Sequence, residues 1–148
     1  MKLLLDTNVL LDYFAQREPF FRSWDKLNAM QVMGDAELWV SAESFTDIFY
    51  VLRGVVDPRD LQAAFIESLS FMRVCAVGSS EIMEAAQRSW NDFEDCLIDV
   101  CAQRIKADYL ITRDTSGIKE SCVPWYTPMD FFSMLEHDYG LVYDEIDW

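Results

Sequence analysis

The apolar positions change their period several times along the chain, and each change marks an element. Residues 3–5 are three leucines without polar alternation, which suits a strand buried on both faces of a parallel sheet. Residues 8–16 then read as a short helix, apolar nearly all round, broken by Glu18-Pro19. A second helix is predicted over 20–33, with Phe20, Trp24, Leu27 and Met30 near helical spacing and a stop at Gly34-Asp35. Residues 37–40 predict a strand, and Ser41 caps a helix over 42–53 that buries Phe45, Ile48, Phe49 and Leu52. Pro58 opens a helix running to Met72. A strand at 73–77 and a helix from Ser79 to near Trp90 follow. The clearest amphipathic pattern lies over 92–106, with Phe93, Leu97, Val100, Cys101 and Ile105 on one side. A strand at 109–112, a polar loop at 113–121, a short strand at 123–126 interrupted by Pro124, and a helix from Thr127-Pro128 to near Asp138 complete the order.

Strands alternate with helices throughout. The class is therefore α/β: one α-β-α sandwich around a mainly parallel sheet of four to five strands. The domain is expected over 1–140, with an acidic C-terminal tail over 141–148. No apolar run reaches the roughly 18 residues that span a bilayer. The first strand also lacks a secretory h-region and cleavage site, so a cytoplasmic location with no membrane partner is expected. Cys75, Cys96, Cys101 and Cys122 form no CxxC pair and His137 is the only histidine, which excludes the usual zinc clusters and leaves the cysteines as buried thiols.

Charge changes the picture further. Twenty-six acids against twelve lysines and arginines give a formal charge of −14. Such a balance opposes non-specific nucleic-acid binding. It favours a basic partner, or divalent cations that offset grouped carboxylates. Four acids fall where such a group would form. Asp6 ends the first strand, at the carboxyl edge where open α/β sheets place ligands. Asp47 lies about one and a half turns into the third helix, Asp95 in the first turn of the amphipathic helix, and Asp114 just past the fourth strand. Asp92, Asp95 and Asp99 stand at i, i+3 and i+7, within roughly 60° of one another on a helix. Asp92 as N-cap and Glu94 at the positive end of the helix also have ordinary structural reasons. Mg²⁺ and Mn²⁺ prefer hard oxygen ligands, activate a water and offset phosphate charge.

The stretches Leu5-Asp6-Thr7-Asn8-Val9-Leu10-Leu11-Asp12, Ser41 to Leu52, Asp92-Phe93-Glu94-Asp95-Cys96-Leu97-Ile98 and Leu110-Ile111-Thr112-Arg113-Asp114 together resemble the PIN domain family, the fold of VapC-type ribonuclease toxins. The resemblance covers about residues 1–130. It implies metal-binding acids at Asp6, Asp95 and Asp114, with Asp47 as the remaining catalytic acid, and Asn8 and Thr112 orienting ligands from behind them. It also implies cleavage of RNA phosphodiesters with Mg²⁺ or Mn²⁺, inhibition by a cognate antitoxin, and a possible homodimer. The chain departs from the family pattern at three places. Asp47 stands where Glu is common, which makes Glu43, one turn earlier, a rival. Asp99 replaces a small residue and joins Asp92 as a possible additional ligand. The loop Thr115-Ser116-Gly117-Ile118 lacks a further acid. Arg113 and Lys119 are candidates for RNA phosphate contacts. The alternatives are an inactive PIN-like module that binds protein, and a phosphatase of the haloacid-dehalogenase kind with Asp6 as nucleophile. The latter chemistry wants an acid where Asn8 stands.

Overall fold

Leu3, Leu4 and Leu5 are fully buried, and the reason is that β1 (Lys2–Leu5) lies at the centre of a covered sheet. The computed structural model describes residues 1–143. After β1 come α1 (Thr7–Phe14), α2 (Phe21–Val32), β2 (Glu37–Ser41), α3 (Ala42–Leu52), α4 (Pro58–Ser68), β3 (Met72–Cys75), α5 (Ser79–Arg88), α6 (Phe93–Ile105), β4 (Tyr109–Ile111), β5 (Trp125–Tyr126) and α7 (Pro128–Tyr139). The five strands run in the order β3-β2-β1-β4-β5, and every neighbouring pair is parallel. No helix among the described residues is long and apolar enough to cross a membrane.

Alternate residues of β1 face opposite layers, as the strand period requires. Leu3 and Leu5 join a large core with Leu10, Trp24, Leu27, Met30, Ile48, Leu61 and Phe131. Leu4 faces the other way, onto Ile98, Cys101, Ala102 and Leu110. Fully burying a leucine contributes about 1.5–3 kcal/mol, so three in a row make β1 the best-anchored element of the sheet. The expected α-β-α sandwich is what the chain forms, with the strand count at the upper expected value.

The boundaries on either side of residue 70 moved together, for one reason. Met72 pairs with Leu38 as the first residue of β3, so α4 stops at Ser68 rather than reaching Met72, and the strand ends at Cys75. The helix read as amphipathic is buried almost all round. Eight consecutive residues of α6, Asp95 to Ala102, are buried, while Phe93 is 46% exposed. It packs on the sheet on one side and on α5 on the other. Cys75, Cys96 and Cys101 are buried free thiols, but Cys122 is exposed on the loop before β5. Of the expected tail, Tyr143 is buried and its hydroxyl donates to Asp35 Oδ2 at 2.9 Å, while residues 144–148 lie outside the described residues.

Connections from β1 through β2 to β3 march toward one edge. The chain then crosses back, and β4 pairs with the opposite side of β1. Strand order therefore reverses between β1 and β4, and the crevice beyond their carboxyl ends is the place where α/β sheets bind ligands. Asp6 follows β1 there, and Thr112 to Asp114 follow β4.

Candidate active site

Asp6 is held by both strands that flank the crevice. Its N–H donates to Ile111 O at 2.9 Å, extending the β1–β4 ladder by one residue. The side chain caps α1, with Oδ1 accepting from Thr7 N at 2.6 Å. Its Oδ2 accepts from Thr112 Oγ1 at 2.6 Å and from Asn8 Nδ2 at 2.7 Å. Asn8 Oδ1 in turn accepts from Arg113 N at 3.0 Å, and Thr112 Oγ1 accepts from Asp114 N at 3.0 Å. Asn8 and Thr112 both donate to Asp6 and tie it to the loop after β4. Capping and placement in the crevice are not rival roles for Asp6, because one carboxylate does both.

The other acids arrive from α6, α3 and the loop. Burial raises the Asp6 pKa above the usual carboxylate value, and nearby Asp114 adds to the rise. Asp95 is pushed up to about 7, first by burial and then by Asp6, Asp92, Asp114 and Glu94. Its Oδ2 is buried without a hydrogen-bond partner. A carboxylate oxygen in that condition costs free energy unless a proton or a cation meets it. Asp47 is half-buried, and burial raises its pKa. It reaches the group through Glu94, whose pKa is raised by burial and then by Asp47, Asp6 and Asp92, against a lowering hydrogen bond with Thr7. Glu43, Asp47 and Glu94 line a small cleft of about 170 Å³ beside Thr7 and Ser44. Thr7 Oγ1 and Ser44 Oγ lie 2.9 Å apart under it and join α1 to α3.

Asp6, Asp95 and Asp114 therefore sense one another directly, and Asp47 flanks them. Glu94 is the site residue that sequence reasoning missed, because the helix dipole already explained an acid in that turn. The signal was available: α6 begins at the crevice, and Glu94 and Asp95 of its first turn both sense the other acids, while Cys96 turns to α5. Asp92 is the N-cap, accepting from Asp95 N at 3.1 Å, and touches the site through its charge.

The structure places the remaining candidates apart from these acids. Asp99 lies a turn deeper on α6, and its carboxylate is engaged by α5, α6 and the loop before β5. It is fully buried, pairs with Arg88 Nη1 at 2.7 Å, and accepts from Gln103 and Ser121. Arg113 is committed to Asp12, with Nη2 donating to Oδ1 at 3.1 Å and Nε 2.7 Å from Oδ2 in a close ion pair that is not a linear hydrogen bond. Its side chain leans away from the acids, over the Phe20 ring at 4.2 Å. Lys119 is exposed on the loop after Asp114.

That loop closes the site. Asp114 Oδ1 accepts from Ser116 N at 2.9 Å and from Ser116 Oγ at 2.6 Å, which lowers its pKa. The turn lays Gly117 against Asp95, so closely that a Cβ there would stand 1.5 Å from Asp95 Oδ2. Only a glycine allows this approach. The donor set is all hard oxygen, with one buried oxygen unpartnered, and fits a divalent cation by chemistry. Spacing does not yet fit: among the described residues no three acids stand close enough together to hold an ion. The obstacles are local, namely Asp114 turned into its own loop and Gly117 seated on Asp95.

One consequence is measurable without a cation. Below the unfolded value near 3.8, Asp95 is protonated in both states and has no effect on folding. Between there and about 7 the folded protein keeps a proton that the unfolded chain has lost, so stability falls as pH rises, and the cost is complete above about 7. Asp95→Asn, in EDTA, is expected to raise the melting temperature at pH 8 and to leave it nearly unchanged at pH 4. Equal effects at both values would mean that Asp95 is not a strained carboxylate.

A model of the PIN domain matches residues 2–116, which is most of the chain and takes in all four predicted acids. The chain belongs to the PIN domain family. A search of curated proteins found no significant match. Among solved structures, similarity extends to VapBC2 from Rickettsia felis bound to a promoter DNA fragment, at TM-score 0.65 and 14% identity over 86% of this chain and 98% of that one. VapBC-1 from nontypeable Haemophilus influenzae is similar at TM-score 0.67 and 15% identity, covering 87% and 99%. FitAcB from Neisseria gonorrhoeae is similar at TM-score 0.59 and 19% identity, covering 86% and 98%. At these identities the likeness is one of fold, and it supports the family resemblance seen in the four motifs.

Proposed function

We propose that this PIN domain is a metal-dependent endoribonuclease, and that it is the toxin of a toxin–antitoxin pair. The observation that carries the nuclease reading is the convergence of Asp6, Asp95 and Asp114 at the β1–β4 switch point, with a buried Asp95 oxygen left without a partner. Like charges meet at such a place at a cost, which a cation removes. Asp6, Asp95 and Asp114 would hold Mg²⁺ or Mn²⁺, with Asp47 and Glu94 on the flank. A bound cation would lower the pKa of a coordinated water and offset charge on the phosphodiester. The residues of the chain supply the rest. Thr112 and Asn8 fix the Asp6 carboxylate by donating to Oδ2, while Oδ1 accepts only from Thr7 N. Asp47 and Glu94 would accept a proton beside that centre.

The toxin reading rests on the family, on the VapBC and Fit structures and on charge. A chain of −14 suits a basic antitoxin whose Arg or Lys enters the carboxylate group. The test is cleavage of a mixed-sequence single-stranded RNA by purified protein in Mn²⁺ and in EDTA. Cleavage in Mn²⁺ alone, lost in Asp95→Asn, supports the reading. Cleavage that ignores both EDTA and the substitution contradicts it.

A further inference from the structure

The turn after β4 lies against two of the three acids that converge at the crevice. Asp114 Oδ1 accepts from Ser116 N at 2.9 Å, from Ser116 Oγ at 2.6 Å and from Gly117 N at 3.4 Å. Successive N–H groups in a turn make an anion-binding cradle, and here the anion is the turn's own carboxylate. At Asp95 the contact is of another kind. A Cβ on Gly117 would stand 1.5 Å from Asp95 Oδ2 and 2.7 Å from its Cγ, yet no donor reaches that oxygen and Asp95 is only 9% exposed. The turn thus bonds Asp114 and merely dries Asp95, which costs free energy. Space alone requires the glycine: Gly117, unlike Gly34 and Gly140, has no positive φ, so its backbone accepts an alanine. Both ends of the turn are anchored. Thr112 is bonded to Asp6 and to Asp114 N, Ile118 is buried with Leu4, Ile98 and Leu110, and Ser121 donates to the buried Asp99. Residues 114–116 between them are exposed.

We propose that residues 114–117 are a cover built from the chain itself, which competes with a divalent cation for Asp95 and Asp114 and must swing aside before the ion is held. It rests on the cation centre proposed for these acids and adds what opposes the ion's entry. Three observations support it. The same short turn engages both acids, so one movement releases both. In the covered arrangement no three acids among the described residues stand close enough together to hold an ion. That arrangement satisfies one carboxylate and leaves an oxygen of the other buried without a partner, so it is held from one side only, whereas a cation gains at both. The anchors confine the movement, and the core around Ile118 need not repack. A fixed wall would be the opposite case. There the turn would hold Asp114 in place for the ion, and loosening it would weaken binding. Cover and wall therefore predict opposite signs.

The experiment measures Mn²⁺ binding to the full chain without RNA, by the loss of the electron paramagnetic resonance signal of the free ion. Salt at about 0.15 M screens the general acidity of the chain. Asp95→Asn subtracts binding to other carboxylates. Two variants loosen the cover without adding a ligand. Gly117→Ala sets a methyl where Asp95 Oδ2 stands, so the covered arrangement cannot form. Ser116→Ala removes the hydroxyl donor from Asp114. Apparent affinity is reduced by the fraction of molecules that are open. With an open fraction of about 0.1–10%, Gly117→Ala is expected to bind Mn²⁺ about 10- to 1000-fold more tightly than the wild type. Ser116→Ala is expected to move in the same direction by less. Amide hydrogen exchange gives a second reading. Mn²⁺ should speed exchange at Ser116 and Gly117 in the wild type, because their N–H groups lose Asp114. Should Gly117→Ala fail to fold in a circular dichroism melt, Ser116→Ala and the exchange rates decide. Equal or weaker Mn²⁺ binding in both variants, or exchange that Mn²⁺ slows, overturns the cover and leaves the cation centre standing. Mn²⁺ binding that Asp95→Asn leaves intact, or none by any form, removes the cation centre and the cover with it.

Discussion

Asp6→Asn is expected to lower metal-dependent RNA cleavage about 10²- to 10³-fold, the scale on which one preorganised electrostatic contact is lost. The substitution keeps an oxygen to cap α1 and removes the charge. Asp6 is the most connected of the crevice acids: it is bonded to Thr7, Asn8 and Thr112 and is sensed by both Asp95 and Glu94. Thr112→Val leaves the carboxylate in place but frees its orientation, so the smaller loss of about 10- to 100-fold for a supporting contact is expected. Single-turnover rates, with circular dichroism melts to confirm folding, check both. A rate for Asp6→Asn equal to that of the wild type would place the chemistry elsewhere.

Arg88→Met is the variant expected to cost the most stability. Asp99 is fully buried, and Arg88 is its only cationic contact among the described residues, with Gln103 and Ser121 as hydrogen-bond donors. Removing one member of a buried pair typically costs about 3–5 kcal/mol, because a charge is left without its counterpart. Arg88 also meets Glu84, and Arg104 meets both Glu81 and Glu84, so the loss spreads along the α5–α6 contact. Arg88→Met combined with Asp99→Leu should recover most of the deficit. Urea unfolding of the two variants measures this, and nuclease activity per folded molecule should be unchanged in both.

The same residue shows where sequence reasoning stops. On a helical wheel Asp99 shares a face with Asp92 and Asp95, and the angle is right. What the wheel omits is depth: Asp99 lies one turn further along α6, opposite Arg88 of α5. Partners brought from another element are invisible to periodicity. The commitment of Arg113 to Asp12 was hidden in the same way, by 101 residues of sequence. By contrast, β1 and Asp6 were legible because a fully apolar run ending on Asp-Thr-Asn has few alternatives in a parallel sheet. Gly117 could not have been read as a contact of Asp95, because nothing in a glycine announces what lies against it. Glu94 was visible but already explained, and the direction in which α6 points decided its place.

The most direct test of a cation centre at these carboxylates is an anomalous difference map from crystals grown in Mn²⁺. A peak roughly 2.1 Å from oxygens of Asp6 and Asp95, with Gly117 moved off Asp95 and Asp114 released from its turn, is the predicted result. An empty crevice at saturating Mn²⁺, with Gly117 still seated on Asp95, would contradict it.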